Sequence, residues 1–349
     1  MDVILYLLVA FVILMFMITV HELGHYIAGR VLGFKINEFA IGMGPKIFSK
    51  TLKNGQVFSL RCLPLGGFCA FEGEDEENPG PGAFNNQKPW KRLIVLFSGA
   101  FMNFISAVII VIIAFSCFGD YLPYIHDVYV LEGVEQTQEN SLLPGDTVLQ
   151  INGKDILLNV DLSSMIQDAG DEADVLVIRN GEKVLLEGVK KGNYTVTAED
   201  ETTQTHYGWG VSIGYGGNER TRFTFGEALA RSVPYCLRTA SYVLETLGGL
   251  VTGLIGLDQI GGPITTIDIT MQVARSGFAN ILMLVTMISV NLAVFNLLPV
   301  PALDGCKMIF VIIEWIRGKP VNRTVEGYIH FIGLLLLFGF VIAVDLLRL

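Results

Sequence analysis

Long apolar runs alternate with polar, turn-rich segments along this chain. A helix of about 20 apolar residues crosses the hydrocarbon core of a bilayer, and several runs reach that length with few charges. They lie near Val3–Arg30, Leu93–Phe118, Phe278–Val300 and Tyr328–Leu347. The pattern therefore predicts an α-helical polytopic membrane protein with about four transmembrane helices.

A weaker apolar stretch, Val233–Leu257, contains Arg238, Glu245 and four glycines. Charged side chains are costly at membrane depth. We therefore interpret the region 223–277 as amphipathic, lying on the membrane surface or packed on the protein. A fifth membrane span over Val233–Leu257 is the open alternative.

Two shorter apolar runs, Ile36–Phe48 and Gln56–Phe71, lie between the first two predicted spans and have the pattern of strands. The Asn54-Gly55 pair between them is a strong hairpin signal. The runs are too apolar for a solvated loop, so we predict a membrane-associated β-hairpin over about 36–71. It either enters the membrane beside the first span, where protein or a wet cavity must satisfy its backbone, or caps the helices from the cytoplasm.

The segment 119–222 is predicted to be a separate α+β domain, because short strand patterns alternate there with turn signals. The run Leu143-Pro144-Gly145-Asp146, followed by Asn152-Gly153, has the pattern of a PDZ domain, a fold that binds extended peptides by strand addition. A short helix is expected at Leu162–Ala169. Strands are expected at Val128–Val130, Thr147–Ile151, Val175–Ile178, Val184–Leu186 and Tyr194–Val196. An extracytoplasmic peptide is therefore a candidate partner.

Charge and composition support this division. The chain has 349 residues, of which 51% are hydrophobic, and a net charge of −10. The segment 119–220 holds 18 Asp or Glu against 6 Lys or Arg, whereas basic residues cluster between spans one and two and between spans three and four. By the positive-inside rule those connections face the cytoplasm, which places the 119–222 domain outside. Nucleic acid is excluded as a partner, because the sequence has no extended basic patch.

The first apolar run ends on His21-Glu22-Leu23-Gly24-His25, the H-E-x-x-H pattern of zinc proteases. Residues four apart share one face of a helix, so His21 and His25 can reach a single metal ion. Glu22 lies beside them, where it can take a proton from water. Ionisable residues within a membrane are costly, so the motif predicts a functional metal site at the edge of the bilayer.

Two histidines leave a zinc ion short of a third protein ligand. The best candidate is Asp304, which follows the third span after Pro299 and Pro301 interrupt the helix. A carboxylate in this apolar context is costly, and binding a cation offsets the cost. The alternative is that Asp304 caps the helix that follows it. The other histidines are interpreted as surface, packing or interfacial residues: His126, His206 and His330.

Further motifs extend over nearly the whole chain: Gly42–Pro45, Pro64–Phe68, Gly99 with Asn103, Gly262–Ile264 and Asn291–Gly305. Together with His21–His25 they resemble the bacterial site-2 proteases of the regulator-of-sigma-E protease group, which are intramembrane zinc metalloproteases. The chain departs from that pattern at Cys306, where the family commonly has glycine.

The resemblance implies roles for individual residues. His21, His25 and Asp304 match the ligands of Zn²⁺, and Glu22 matches the catalytic general base. Asn296 matches a residue that holds substrate or the developing oxyanion. Asn103 either contacts substrate or has a structural role. Gly67 and Phe68 belong to the hairpin that clamps substrate as an added strand.

The resemblance also implies a function. The protein would hydrolyse peptide bonds in or near the membrane spans of single-span proteins, such as anti-sigma factors or remnant signal peptides. It would lie in the bacterial cytoplasmic membrane, with the active site near the cytoplasmic side. Two alternatives are a zinc-binding membrane receptor or carrier that hydrolyses nothing, and a PDZ scaffold whose enzyme half has decayed.

Overall fold

A computed structural model describes residues 2–74, 80, 83–135, 137, 140–197, 203–214, 220–256 and 263–346 of the chain. Leu257, Gly262 and Leu347, which belong to predicted spans and motifs, lie outside this described part, as do parts of the predicted regions 119–222 and 223–277.

Helices and strands alternate in the following order. The helices are α1 (Asp2–Leu32), α2 (Pro89–Cys117), α3 (Asp161–Asp168), α4 (Phe225–Thr252), α5 (Pro263–Arg275), α6 (Phe278–Leu297), α7 (Asp304–Arg317) and α8 (Arg323–Leu346). The strands are β1 (Ile36–Thr51), β2 (Val57–Phe71), β3 (Tyr124–Val128), β4 (Thr147–Ile151), β5 (Lys154–Asp155), β6 (Glu172–Arg179), β7 (Glu182–Lys190), β8 (Gly192–Thr197), β9 (Thr203–Gly208) and β10 (Val211–Gly214).

Four helices in the described part of the chain, α1, α2, α6 and α8, are long and apolar enough to cross a membrane. This confirms the predicted number of spans. The third span ends earlier than predicted, at Leu297 instead of Val300. Leu298 precedes Pro299 and takes an extended backbone with φ −70° and ψ 150°, since proline disfavours helical backbone in the residue before it.

The chain divides into two compact units, one formed by 1–111 with 239–349 and the other by Ile112–Arg238. The second unit contains an antiparallel sheet in the order β10-β3-β4-β6-β7. Its core is formed by buried apolar side chains of these strands and of α3, among them Ile125, Val148, Leu162, Val175 and Leu186. A membrane protein with an additional sheet-containing domain is therefore confirmed.

One predicted strand in the second unit was misplaced. The pattern indicated a strand at Val128–Val130, but β3 spans Tyr124–Val128. The register is fixed by β10, which pairs Val211 with Val128 and Gly214 with Tyr124. The sequence pattern did not reveal β10, so it did not show which residues of β3 would find backbone partners.

Strands β1 and β2 belong to the first unit and form a curled sheet that is more elaborate than the predicted hairpin. Residues 36–41 pair with 67–71 on one side and with 57–60 on the other, and 57–60 also pairs with 48–51. Gly42, where β1 bends, has a φ of 85° that favours glycine. Because of this folding back, 67–71 forms one edge of the sheet and 48–51 forms the other.

A buried ion-pair network connects α2, α7 and α8 within the first unit. Arg92 Nη1 lies 2.5 Å from Glu314 Oε2, and Arg323 Nη2 lies 2.9 Å from Glu314 Oε1. The side chains of Arg92 and Glu314 are only 5% and 7% exposed. Removing one partner of such a pair leaves an uncompensated charge in a medium that solvates it poorly.

We predict that Glu314→Ala lowers the free energy of unfolding by about 3 kcal/mol, because it leaves Arg92 buried without its carboxylate. Denaturant unfolding in detergent measures this loss. The matched control is Glu172→Ala, which breaks the exposed Lys190–Glu172 pair and should cost about 1 kcal/mol or less. Equal stability of the two variants would contradict the prediction.

Candidate metal centre

Helix α1 and the start of α7 bring three potential ligands together. His21 and Asp304 are 283 residues apart in sequence, yet His21 Nε2 lies 3.0 Å from Asp304 Oδ2. His25 Nε2 is 3.2 Å from the same oxygen and 3.1 Å from His21 Nε2. Within the described residues this is the one group of three or more His, Cys, Asp or Glu arranged to hold a metal ion.

The spacing of these three atoms fits zinc. Zinc–nitrogen bonds are about 2.0–2.1 Å, so adjacent ligand atoms of a tetrahedral site lie roughly 3.3 Å apart. The observed separations of 3.0, 3.1 and 3.2 Å are close to that value. Two imidazoles and a carboxylate also form a ligand set of catalytic zinc sites, in which the fourth position stays open to water or substrate.

Helix α2 contacts both imidazoles at Nδ1, the ring nitrogen that does not face Asp304. His25 Nδ1 lies 2.7 Å from the backbone oxygen of Val95, so it donates there and Nε2 keeps its lone pair for a metal. His21 Nδ1 lies 3.4 Å from Asn103 Nδ2, and Asn103 Oδ1 is buried without a partner among the described residues. Rotating this carboxamide to exchange its two atoms lets Oδ1 accept the His21 Nδ1 proton.

Two glycines allow α2 to approach the ligand face of α1. A Cβ added at Gly99 of α2 would collide with the imidazoles of both His21 and His25. A Cβ at Gly24 of α1 would collide with the backbone oxygen of Ser98. The two helices therefore pack backbone to backbone at the level of the ligands, which brings Val95 and Asn103 within reach.

The break between α6 and α7 places Asp304 near the two histidines. It is the first residue of α7, preceded at the N-cap by Leu303, which makes no side-chain capping bond. The Asp304 carboxylate instead faces the two imidazoles, so the alternative that Asp304 is an N-cap is wrong. A Cβ at Gly305 would collide with the backbone of Leu297 and Leu298, so glycine lets α7 begin directly against the end of α6.

Glu22 lies beside the ligands and faces a cavity of about 310 Å³, which His25 and Asp304 also line. Strand β2 forms one wall. Cys69 lines the same cavity as Glu22, and a Cβ at Gly67 would lie 3.7 Å from Glu22 Cγ. The carboxylate therefore has room for water and for a chain segment next to the edge of the sheet.

The remaining predicted site residues differ in whether they line this cavity. Phe68 lines it directly. Asn103 is fully buried, with no exposed surface, and contacts His21. Asn296 is half-buried in the last turn of α6. The structure thus groups Glu22, Phe68 and Asn103 with the ligands, and leaves Asn296 on the element that leads to Asp304.

Sequence reasoning missed the contribution of Val95, whose backbone oxygen holds His25. A backbone carbonyl has no residue-specific signal. The spacing of Val95, Gly99 and Asn103 is a usable signal, because positions four apart lie on one helix face. That face of α2 is the one against the ligands.

Comparison with known proteins places this centre in a family. Residues 9–340 match peptidase family M50. The chain belongs to this family, the site-2 proteases. It is 30% identical to the zinc metalloprotease RasP of Bacillus licheniformis over 90% of this chain and 91% of that protein. It is 28% identical to RasP of Oceanobacillus iheyensis over 95% and 96% of the two chains.

A relative from Clostridium perfringens, whose name also contains the words zinc metalloprotease, is 33% identical over 98% of each chain. This M50 protein is therefore a metalloprotease, and Zn²⁺ is its expected cofactor. Intramembrane proteolysis is general for the family.

We predict that Gly99→Ala weakens zinc binding by about 10-fold or more, because the new Cβ must displace both imidazoles from their positions. Competition with a chromophoric chelator in detergent measures the affinity. The matched control is Gly248→Ala, since a Cβ on this helical glycine of α4 has nothing within 4 Å. Unchanged zinc affinity in Gly99→Ala would show that α2 does not constrain the ligands.

Proposed function

We propose that this M50 peptidase hydrolyses peptide bonds in or near the transmembrane segments of single-span membrane proteins, such as anti-sigma factors or remnant signal peptides. The supporting observation is the position of Glu22, next to three converging ligand atoms and facing a cavity walled by an edge strand. The helix that carries Glu22 is long and apolar enough to cross a membrane.

In this mechanism His21, His25 and Asp304 would hold Zn²⁺. When bound, the ion supplies Lewis-acid polarisation of the scissile carbonyl and makes water more acidic. Glu22 accepts the proton of the attacking water and delivers it to the leaving amine. Asn103 orients His21, a role that its complete burial and its contact with Nδ1 support.

Substrate binding is proposed at the edge of the curled sheet. A transmembrane helix keeps its carbonyls in intrahelical hydrogen bonds, so it must unwind before attack. Segment 67–71 pairs with 36–41 on one side, and no described strand pairs with its other side. An unwound substrate that adds there as a strand regains backbone hydrogen bonds beside Glu22. Gly67 and Phe68 would contact it, while Asn296 would hold substrate or the oxyanion.

The proposed setting is the cytoplasmic membrane of a bacterium, with the metal centre near the cytoplasmic side. The basic residues of the connections next to α1 and α8 support this orientation, among them Arg30, Lys35, Arg317 and Lys319. The acidic domain would then lie outside. Its antiparallel sheet with one short helix, together with Leu143-Pro144-Gly145-Asp146, supports a PDZ-like domain that takes an extracytoplasmic peptide or excludes bulky substrates.

We predict that Glu22→Gln retains zinc but loses cleavage of a single-span test substrate by about 100-fold or more, because glutamine cannot accept the proton. Zinc content and single-turnover cleavage in detergent are measured on the same preparation. His21→Ala is the companion variant, and it should lose both zinc and cleavage.

The same experiment separates hydrolysis from the receptor or carrier alternative, in which the metal site needs no general base. Cleavage by Glu22→Gln at the rate of the unmodified protein would refute the assigned mechanism. Zinc binding by an unmodified protein that cleaves none of a panel of single-span substrates would favour the carrier.

Segment 121–220, the central part of the second unit, has ends that meet at a structurally defined junction. Asp120 and Thr221 exchange two backbone hydrogen bonds, each 2.9 Å long, so the two ends of the inserted segment already lie side by side. Replacing 121–220 with two glycines should let the protein cleave a substrate whose outer domain has not been trimmed. Cleavage of trimmed and untrimmed substrates is compared by gel. If the excised protein still cleaves only the trimmed substrate, the domain is not what excludes untrimmed substrates.

A further inference from the structure

The loop between α6 and α7 contains a backbone conformation that needs support. Ala302 has a φ of 76°, in the left-handed region. The other non-glycine residues with positive φ in the described part of the chain are Asn152 and Asn180, and asparagine tolerates this region better than alanine. Ala302 lies two residues before Asp304, so its conformation sets the direction in which α7 begins.

Helix α8 supplies that support through His330. The backbone N–H of Ala302 donates a hydrogen bond to His330 Nδ1 at 2.8 Å. This contact fixes the tautomer of the imidazole, because Nδ1 must keep its lone pair and the ring proton resides on Nε2. His330 is thereby unavailable as a ligand through Nδ1, and its role is that of an acceptor for one backbone N–H.

A second contact from the same face of α8 reaches the preceding loop residue. A Cβ at Gly333 would collide with Cβ of Pro301. His330 and Gly333 are three positions apart and therefore lie on one helix face. The α8 helix thus touches two consecutive residues of the loop, one by packing and one by a hydrogen bond.

The ring of His330 is itself held in place. Its centroid lies 5.8 Å from that of Phe310 on α7, in an edge-on arrangement. Nε2 is buried without a partner among the described residues, and His330 lines a cavity of about 360 Å³. The hydrogen bond to Ala302 is therefore the specific polar contact through which the imidazole acts on the loop.

We propose that His330 is a positioning residue for the third zinc ligand. Its Nδ1 holds Ala302 in the left-handed conformation, and this keeps Asp304 Oδ2 at 3.0 and 3.2 Å from the two imidazoles. The inference rests on the ligand set of the proposed function. Without the hydrogen bond, Ala302 relaxes toward negative φ, the start of α7 shifts, and the carboxylate no longer completes the site.

Three substitutions test this proposal by separating the acceptor from the shape of the ring. His330→Phe keeps a ring against Phe310 but has no acceptor. His330→Asn is smaller, yet its side-chain oxygen occupies the position of Nδ1. His330→Gln extends its polar atoms toward the position of Nε2, away from Ala302. Zinc affinity is measured by chelator competition in detergent, and kcat and KM are measured at limiting and saturating zinc.

We expect His330→Phe and His330→Gln to bind zinc about 10- to 100-fold more weakly than the unmodified protein, the usual effect of losing a supporting contact behind a ligand. His330→Asn should recover most of that affinity. The kcat of His330→Phe should fall at limiting zinc and rise again at saturating zinc, with KM unchanged.

A residue that merely packs gives the opposite order, with His330→Phe closer to the unmodified protein than His330→Asn, and that order overturns the proposal. Equal zinc affinity in all variants overturns it too. If His330→Phe does not fold, the other two variants decide: the proposal requires His330→Asn to bind zinc more tightly than His330→Gln, and the reverse overturns it. An unmodified protein that binds no zinc would refute the ligand set as well, whereas zinc binding without cleavage refutes the proposed function alone.

Discussion

The burial of one carboxylate between two imidazoles is the constraint on which the rest of this structure depends. Asp304 Oδ2 lies 3.0 and 3.2 Å from the two Nε2 atoms of α1. An ionised carboxylate in an apolar setting is expensive unless a positive charge or a metal compensates it. In the proposed site a zinc ion would provide that compensation, and the contacts described around the site bear on whether the three candidate ligand atoms stay close enough to share one ion.

Close helix packing is how the chain maintains those distances. Glycine occupies three points where a side chain would push the elements apart, namely Gly24, Gly99 and Gly305. The packing brings polar groups of α2 against the back of each imidazole, at Val95 and Asn103. The Val95 oxygen selects the tautomer in which Nε2 of His25 is free, and Asn103 does the same for His21 once its carboxamide is rotated so that Oδ1 accepts from Nδ1.

The curled sheet and the metal centre form one functional arrangement within the same compact unit. Folding back of β1 places 67–71 at one edge of the sheet, and Cys69 of this segment lines the same cavity as Glu22. An edge strand presents unpaired backbone groups, and such groups are what an unwound transmembrane segment lacks. The cavity lined by β2, Glu22, His25 and Asp304 therefore places the carboxylate that we propose as general base next to a strand edge that an extended chain could pair with.

The sequence by itself predicted four helices long and apolar enough to cross a membrane, the position of His21 and His25 on one helix face, and Asp304 as the candidate that joins them. Each depends on local periodicity or on the chemistry of a side chain in an apolar run. Tertiary structure alone decided the folding back of β1, the start of β3, and the contacts of Val95 and His330. These involve backbone groups paired with residues far along the chain, and every residue except proline offers the same backbone donor and acceptor, so no residue identity marks in advance which of them will meet.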